Sequence, residues 1–170
     1  MTRRETALKA LDDLGISYSF CEHEPVNSID DCAAPERVLG AMMPRNIFLC
    51  TANRKRFVLL LCRPHAVFRT SSVSRQAGMS RLSFAPEAEI GRLLGAYPGA
   101  VSPLGLIYDK NHEVRLLMDE KLFKEESLLF HPLDNTCSVK VKTQAFTDSF
   151  LKPLGYEICR VNMEQIEQKA

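Results

Sequence analysis

Gly95-Ala96-Tyr97-Pro98-Gly99-Ala100-Val101-Ser102-Pro103-Leu104-Gly105-Leu106 sets two Pro-bearing turns and three glycines between a helix-like stretch and a strand-like one. Gly admits positive φ and lets another molecule approach the backbone closely, whereas Pro fixes φ and withholds an N–H. A plain connection needs neither. The stretch reads as a rigid, backbone-lined concavity.

Upstream of it, residues 69–77 and 86–94 carry helical patterning, with Ser83-Phe84-Ala85 a short strand between them and Pro86 at a first-turn position. Arg45 to Thr51 and Arg56 to Arg63 are apolar and aromatic runs around Ala52-Asn53-Arg54-Lys55, which predicts a β-hairpin with a basic, four-residue loop. Ser28-Ile29-Asp30-Asp31 caps a helix through about Leu39, ended by Gly40. Residues 3–14 place Ala7, Leu8, Leu11 and Leu14 on one helical face and stop at Gly15, and a strand at 16–21 follows.

Downstream, Ser102 to Tyr108 and Glu113 to Met118 flank the polar turn Asp109-Lys110-Asn111-His112 and read as a second hairpin. Residues 128–130, 136–141 and 156–161 read as strands, 143–151 as a helix, and the tail beyond Asn162 as a frayed helix. Hairpins mixed with single helices predict an α+β (mixed α/β) fold. Its centre is a mixed, mostly antiparallel sheet or partial barrel surrounded by helices. No repeat or low-complexity linker interrupts the chain, so residues 1–170 are expected to form one domain.

At 170 residues the chain is long enough for a core that needs no staples, and its net charge of +1 argues against a general nucleic-acid binder, so any RNA contact is local. The first residues turn amphipathic at once without an apolar h-region, and no run approaches a membrane span, so a cytoplasmic protein with no membrane partner is expected. No pair among Cys21, Cys32, Cys50, Cys62, Cys137 and Cys159 has the C-x2–4-C spacing of a zinc site. Free thiols of this kind behave as small hydrophobes. The chain also lacks a Gly-x-Ser-x-Gly elbow, a His-Glu-x-x-His helix, a phosphate-binding Gly-x-x-x-x-Gly-Lys loop and a paired-cysteine deaminase motif.

Three stretches in order carry a family resemblance. Pro44-Arg45-Asn46-Ile47-Phe48-Leu49 opens a strand, Gly99 to Pro103 is a Gly-x-x-x-Pro loop, and Asp119 precedes Phe130-His131-Pro132-Leu133-Asp134-Asn135-Thr136. With the Cys21-Glu22-His23-Glu24-Pro25-Val26 segment, they make nearly the whole chain resemble the YbaK/ProX superfamily of aminoacyl-tRNA deacylases, above all its free-standing prolyl-tRNA editing proteins. The resemblance implies ester hydrolysis without metal, cofactor or covalent intermediate. It assigns catalysis to backbone amides of Gly99, Ala100, Val101, Ser102 and Pro103 together with the basic strand residue Arg45, the tRNA's terminal hydroxyl helping the water. It implies substrate contacts at Asn46, Phe48, His131 and Asn135. Asp119 is equally suited to capping the next helix, and His23 to surface packing.

Arg45 departs from the family, which usually has Lys there. Arg keeps the charge but is planar, forked and always protonated, so the exchange is not conservative in a close-fitting site. Taken alone, Arg45 also fits a solvated charge before a strand, and His131 a packed, hydrogen-bonded ring. Arg54, Lys55, Arg56, Arg63, Arg69, Arg75 and Arg81 make the middle third basic, either a solvated face or a grip on tRNA phosphates. A terminal adenosine would stack on Phe48 or Phe84, both of which also fit a core.

The implied reaction is trans-editing: release of a wrong small amino acid from tRNA, alanine on proline tRNA first. A synthetase pocket separates substrates differing by one methylene by only ~1–3 kcal/mol, so a second site is needed to remove errors. Mischarged aminoacyl-tRNA is the expected partner, with prolyl-tRNA synthetase a second. The alternative is a catalytically inactive module of the same fold that captures a tRNA end or a synthetase.

Overall fold

The computed structural model describes residues 1–165. Helix α1 (Arg3–Asp13) begins at a reciprocal cap, the Thr2 hydroxyl accepting from the Glu5 N–H while the Glu5 carboxylate accepts from the Thr2 N–H at 2.7 Å, and it buries Ala7 and Leu11. Strand β1 (Ser19–Glu22) follows, then a 3₁₀ turn at Asp30–Cys32 that leads into α2 (Ala33–Leu39). The Ser28 hydroxyl accepts from the Asp31 N–H, and Gly40 ends the helix at φ 70°.

The apolar runs on either side of the basic tip form the expected hairpin, β2 (Arg45–Thr51) and β3 (Phe57–Cys62). Every residue of β3 is buried, because this strand is covered on both faces. Leu59 and Leu61 join the main core with Leu11, Leu94 and Phe130, while Val58, Leu60 and Cys62 join a second cluster against Val73 and Ala77 of α3 (Thr70–Ala77). Strand β4 (Leu82–Phe84) pairs with the free edge of β2, and α4 (Glu87–Leu94) brings the chain to the Gly-rich stretch.

Strands β5 (Val114–Asp119), β6 (Ser127–Phe130), β7 (Cys137–Lys142) and β8 (Ile158–Val161) complete two sheets. One has three antiparallel strands in the order β1-β7-β6; the other has five in the order β4-β2-β3-β5-β8, mixed because β5 runs parallel to both β3 and β8. Antiparallel pairings predominate as expected, but the strands divide into two sheets that do not close into a barrel. Between β7 and β8 the helix runs from Thr143 to Leu154, with π geometry over Phe146–Leu151. The frayed helix expected beyond Asn162 does not appear through Gln165, which instead bridges Ala66; the rest of that expectation lies outside the described residues.

The second hairpin is corrected. Pro103–Tyr108 is a 3₁₀ helix, not a strand: Pro103 has no N–H for a ladder, the Ser102 hydroxyl accepts from the Leu104 N–H, and the Ser102 carbonyl accepts from the Gly105 N–H. Those bonds wind the chain. Val114–Asp119, freed from that partner, inserts between β3 and β8.

A second correction concerns the basic middle third. Arg63 is buried, its Nε donating to Asp119 Oδ2 at 2.7 Å and its other nitrogens to Gln165 Oε1 and the Met163 carbonyl, so it has no charge to offer a polyanion. The other Asp119 oxygen accepts from the Lys121 N–H, the cap anticipated from its position.

Gly105 is where α4 and the 3₁₀ helix meet, and a Cβ there would collide with the Leu94 carbonyl, backbone that has no rotamer to change. We expect Gly105→Ala to lower the unfolding free energy by about 1–3 kcal/mol or more in urea titration. An unchanged midpoint would show that this packing is looser than described.

Candidate functional site

Four loops and one strand end converge on a cleft of about 200 Å³. Its wall combines Val26, Ile29 and Cys32 from the segment before α2, Met43 to Asn46 at the start of β2, Pro64 after β3, Gly99 and Val101, and His131. Hollows two to three times larger exist elsewhere, but they are lined by side chains of solvated faces such as Lys140 and Glu125 or Arg75 and Gln76. The small cleft gathers a cation, an imidazole and open loop backbone.

The loop is pinned from within. Gly99 takes φ 94°, the Ala100 N–H donates to the Tyr97 carbonyl at 2.9 Å, and the Ala100 and Ser102 side chains are fully buried. Ser102 is therefore a helix cap and no nucleophile. Among the described residues, the N–H groups of Gly99, Val101 and Ser102 have no protein acceptor in hydrogen-bonding geometry; Gly99 and Val101 line the cleft and can donate to a ligand there, whereas Ser102 is fully buried. Ala100 has spent its N–H and Pro103 has none, so two of the five loop positions cannot donate.

Arg45 opens β2 opposite Cys62, half-buried at the cleft. Asn46 follows. Its Nδ2 donates to the Pro44 carbonyl at 3.2 Å, which fixes the amide's orientation, and its Oδ1 is a buried acceptor with no partner. An orphaned acceptor costs about 1–3 kcal/mol unless a ligand donor satisfies it.

His131 is buried with its Nδ1 3.0 Å from the Cys137 carbonyl, a contact that makes Nδ1 the protonated nitrogen and leaves Nε2 as an acceptor. Burial pushes its pKa below the ordinary imidazole range, against the opposing pull of the Cys137 carbonyl. Its ring lies 6.1 Å from that of His23, which is occupied with Ser138 Oγ and the Glu24 carbonyl. Cys32 contributes an uncharged wall: burial, helped by Glu36 and Asp31, raises its thiol to about 11.

Two expected substrate contacts are corrected. Phe48 is buried in the main core and stacks on Phe57 with ring centroids 5.7 Å apart; two residues past Asn46 on the same face of β2, it sits deeper in the hydrophobic layer than the cleft. Asn135 has both ends of its amide engaged, Oδ1 accepting from the Tyr97 hydroxyl at 2.9 Å and Nδ2 donating to the Val26 carbonyl at 3.2 Å. It holds loops together and does not face a ligand. Val26, Ile29, Cys32, Met43 and Pro64 escaped the sequence reading because isolated apolar residues in turns carry no periodic signal; Tyr97 lay inside the decisive stretch with nothing to mark its hydroxyl as a partner of Asn135.

A family model described as the aminoacyl-tRNA editing domain matches residues 23–148, a span that contains every wall of this cleft. The chain belongs to that family. It is 28% identical over 139 residues to the prolyl-tRNA editing protein ProX of Acetoanaerobium sticklandii, covering 82% of this chain and 85% of that one. It is 25% identical over 158 residues to a prolyl-tRNA synthetase associated domain-containing protein 1 of Xenopus laevis, covering 91% and 93%. A solved structure described as a candidate trans-editing enzyme for prolyl-tRNA synthetase superposes with a TM-score of 0.73 over 98% of this chain and 99% of that one, at 15% identity. The editing domain's fold is thus shared with little sequence in common. Among the described residues no helix is long and apolar enough to cross a membrane, and no group of three or more metal-ligating side chains gathers.

The lowered pKa of His131 has a sign. Below the ordinary imidazole pKa the unfolded chain takes up a proton that the folded ring refuses, so its contribution to stability is complete above about pH 6.5 and is lost as pH falls through the depressed value. The melting temperature is expected to fall between pH 7.5 and 5 and to fall less in His131→Asn. Asn135→Ala, which strands the Tyr97 hydroxyl and the Val26 carbonyl, is expected to cost about 1–3 kcal/mol in urea unfolding; a neutral result would remove Asn135 as the tie between the loops.

Proposed function

We propose that this editing domain, residues 1–170 acting as one unit, hydrolyses the ester between a mischarged small amino acid and tRNA, alanine on proline tRNA first. One observation carries the reading: a cleft of about 200 Å³ brings Arg45, Asn46, open backbone of the Gly99–Pro103 loop and His131 around a single small volume. A small cleft with open loop backbone suits a short aminoacyl group held by polar contacts.

Ester hydrolysis needs donors where the oxyanion forms, a positioned water and a place for its proton. The open N–H groups of Gly99 and Val101 face the developing oxyanion, and the Arg45 guanidinium adds fixed positive charge. Neutral His131 accepts at Nε2 from the attacking water or from the terminal ribose hydroxyl. The new C–O bond forms as the ester C–O bond breaks, and the proton passes to the departing ribose oxygen. Asn46 Oδ1, unpartnered in the free protein, takes a donor of the aminoacyl group. The names of the relatives add prolyl-tRNA synthetase as a proposed partner.

A second reading rests on Arg45: where the family usually has Lys, a forked guanidinium suits retention of a tRNA end as well as turnover. Release of labelled amino acid from alanyl-, cysteinyl-, seryl- and prolyl-tRNA separates them. The expected result is release of one small residue, reduced about 10²-fold or more in Arg45→Ala. No release above the uncatalysed rate from any of the four would sink the hydrolase reading, and a large gain in Arg45→Lys would mark a protein turned from catalysis to capture.

A further inference from the structure

The basic residues of the middle third do not ring the cleft. Arg45 stands at one end of β2, whereas Arg54, Lys55 and Arg56 lie on the tip beyond its other end, and Arg81 adjoins them because Leu82 pairs with Thr51. Arg45 and Thr51 are six positions apart along the strand, about 20 Å at the usual rise. All four distal cations are exposed, and among the described residues none forms an ion pair. The neighbouring carboxylate, Glu113, is held by Arg92 at 2.9 Å. This end of the sheet is a cap of uncompensated positive charge.

Between the cap and the cleft sits an aromatic pair. Phe84, opposite Leu49 on the edge strand, is 69% exposed, and its ring centroid lies 5.9 Å from that of Phe68. Phe68 ends the segment that begins at the cleft with Pro64. A Phe exposed to this extent on an edge strand, backed by a second ring, is a surface in search of a flat apolar partner.

We propose that this edge is an RNA track: the distal cap holds the phosphates of a duplex end, and Phe84, backed by Phe68, stacks a base of the single strand that leads from it to the cleft. Every nucleobase offers a π-face, and exposed cations flanking an aromatic are the arrangement that binds single strands without reading sequence. The spacing agrees. A strand rises about 3.4 Å per stacked nucleotide, so ~20 Å corresponds to about six stacked nucleotides, or fewer when extended. The free cations select a polyanion over a second copy of this chain, whose own cap would repel it.

This inference rests on the proposed function only for what lies at the cleft end, so binding and hydrolysis are measured separately. The probes are a hairpin RNA with a four-nucleotide unpaired 3′ end, the same hairpin made blunt, and alanine ethyl ester. Phe84→Ala is expected to weaken binding of the overhanging RNA roughly tenfold and leave the blunt one unchanged, with Phe84→Trp restoring it. Replacing Arg54, Lys55, Arg56 and Arg81 by Ala should weaken both RNAs and flatten the dependence of log Kd on log salt by about 0.7–0.9 for each phosphate that is no longer neutralised. Ester hydrolysis should be unchanged in all of them.

Unaltered RNA affinity in both variants would overturn the track. A change in oligomeric mass with Phe84→Ala at constant RNA affinity would overturn it in favour of an interface between copies. If the natural protein releases no amino acid from any of the four aminoacyl-tRNAs while RNA binding responds as described, the track stands and the hydrolase reading falls.

Discussion

The cleft exists because Asn135 ties three loops together. Its side chain accepts from the Tyr97 hydroxyl and donates to the Val26 carbonyl, while its backbone N–H donates to the same Tyr97 hydroxyl and its carbonyl accepts from the Val26 N–H. The Gly-rich loop, the segment before α2 and the β6–β7 turn are thereby held at one distance. Arg4 reinforces the turn from outside, its guanidinium donating to Asp134 and Thr136. Loops have few contacts of their own, so a hub of directional bonds among part-buried groups sets their spacing more sharply than apolar packing does.

Beneath those loops, the sheets supply rigidity. β3, buried on both faces, separates two apolar clusters, and the Arg63–Asp119 pair closes its cleft-proximal end. With its remaining donors satisfied by Gln165 and Met163, this buried pair is fully hydrogen-bonded, the condition under which such a charge is tolerated. Arg45 and Asn46 project from the strand next door, so their positions inherit the stiffness of the hairpin.

Much of this was legible in the chain because it depends on local chemistry. The first hairpin followed from apolar runs around a polar tip, the end of α2 from Gly40, and the loop's shape from its glycines and prolines, whereas Ser28 caps only the 3₁₀ turn before α2. What failed was decided over longer distances. Ser102 to Tyr108 has strand-like composition, yet Pro103 and the Ser102 hydroxyl favour winding, and the parallel place of β5 between β3 and β8 has no signature within any short window. Burial was equally hidden. Arg63 and Arg54 look alike as letters; one neutralises Asp119 inside and the other stands in water. Asn135 was singled out, but whether an amide faces a ligand or its own protein is settled only by where Tyr97 and Val26 arrive.

Strand β1 has one neighbour, and that neighbour lies far along the chain: Ser19 to Glu22 pair with Cys137 to Lys140. On a ribosome that releases the chain from its amino end, β1 has no sheet to join until Lys140 has emerged, and the cleft walls at Val26 and His131 meet only then. Closing so long a loop comes late in folding. The site therefore cannot work on a nascent fragment, and a molecule that has it is one whose synthesis has already passed the last strand of that sheet.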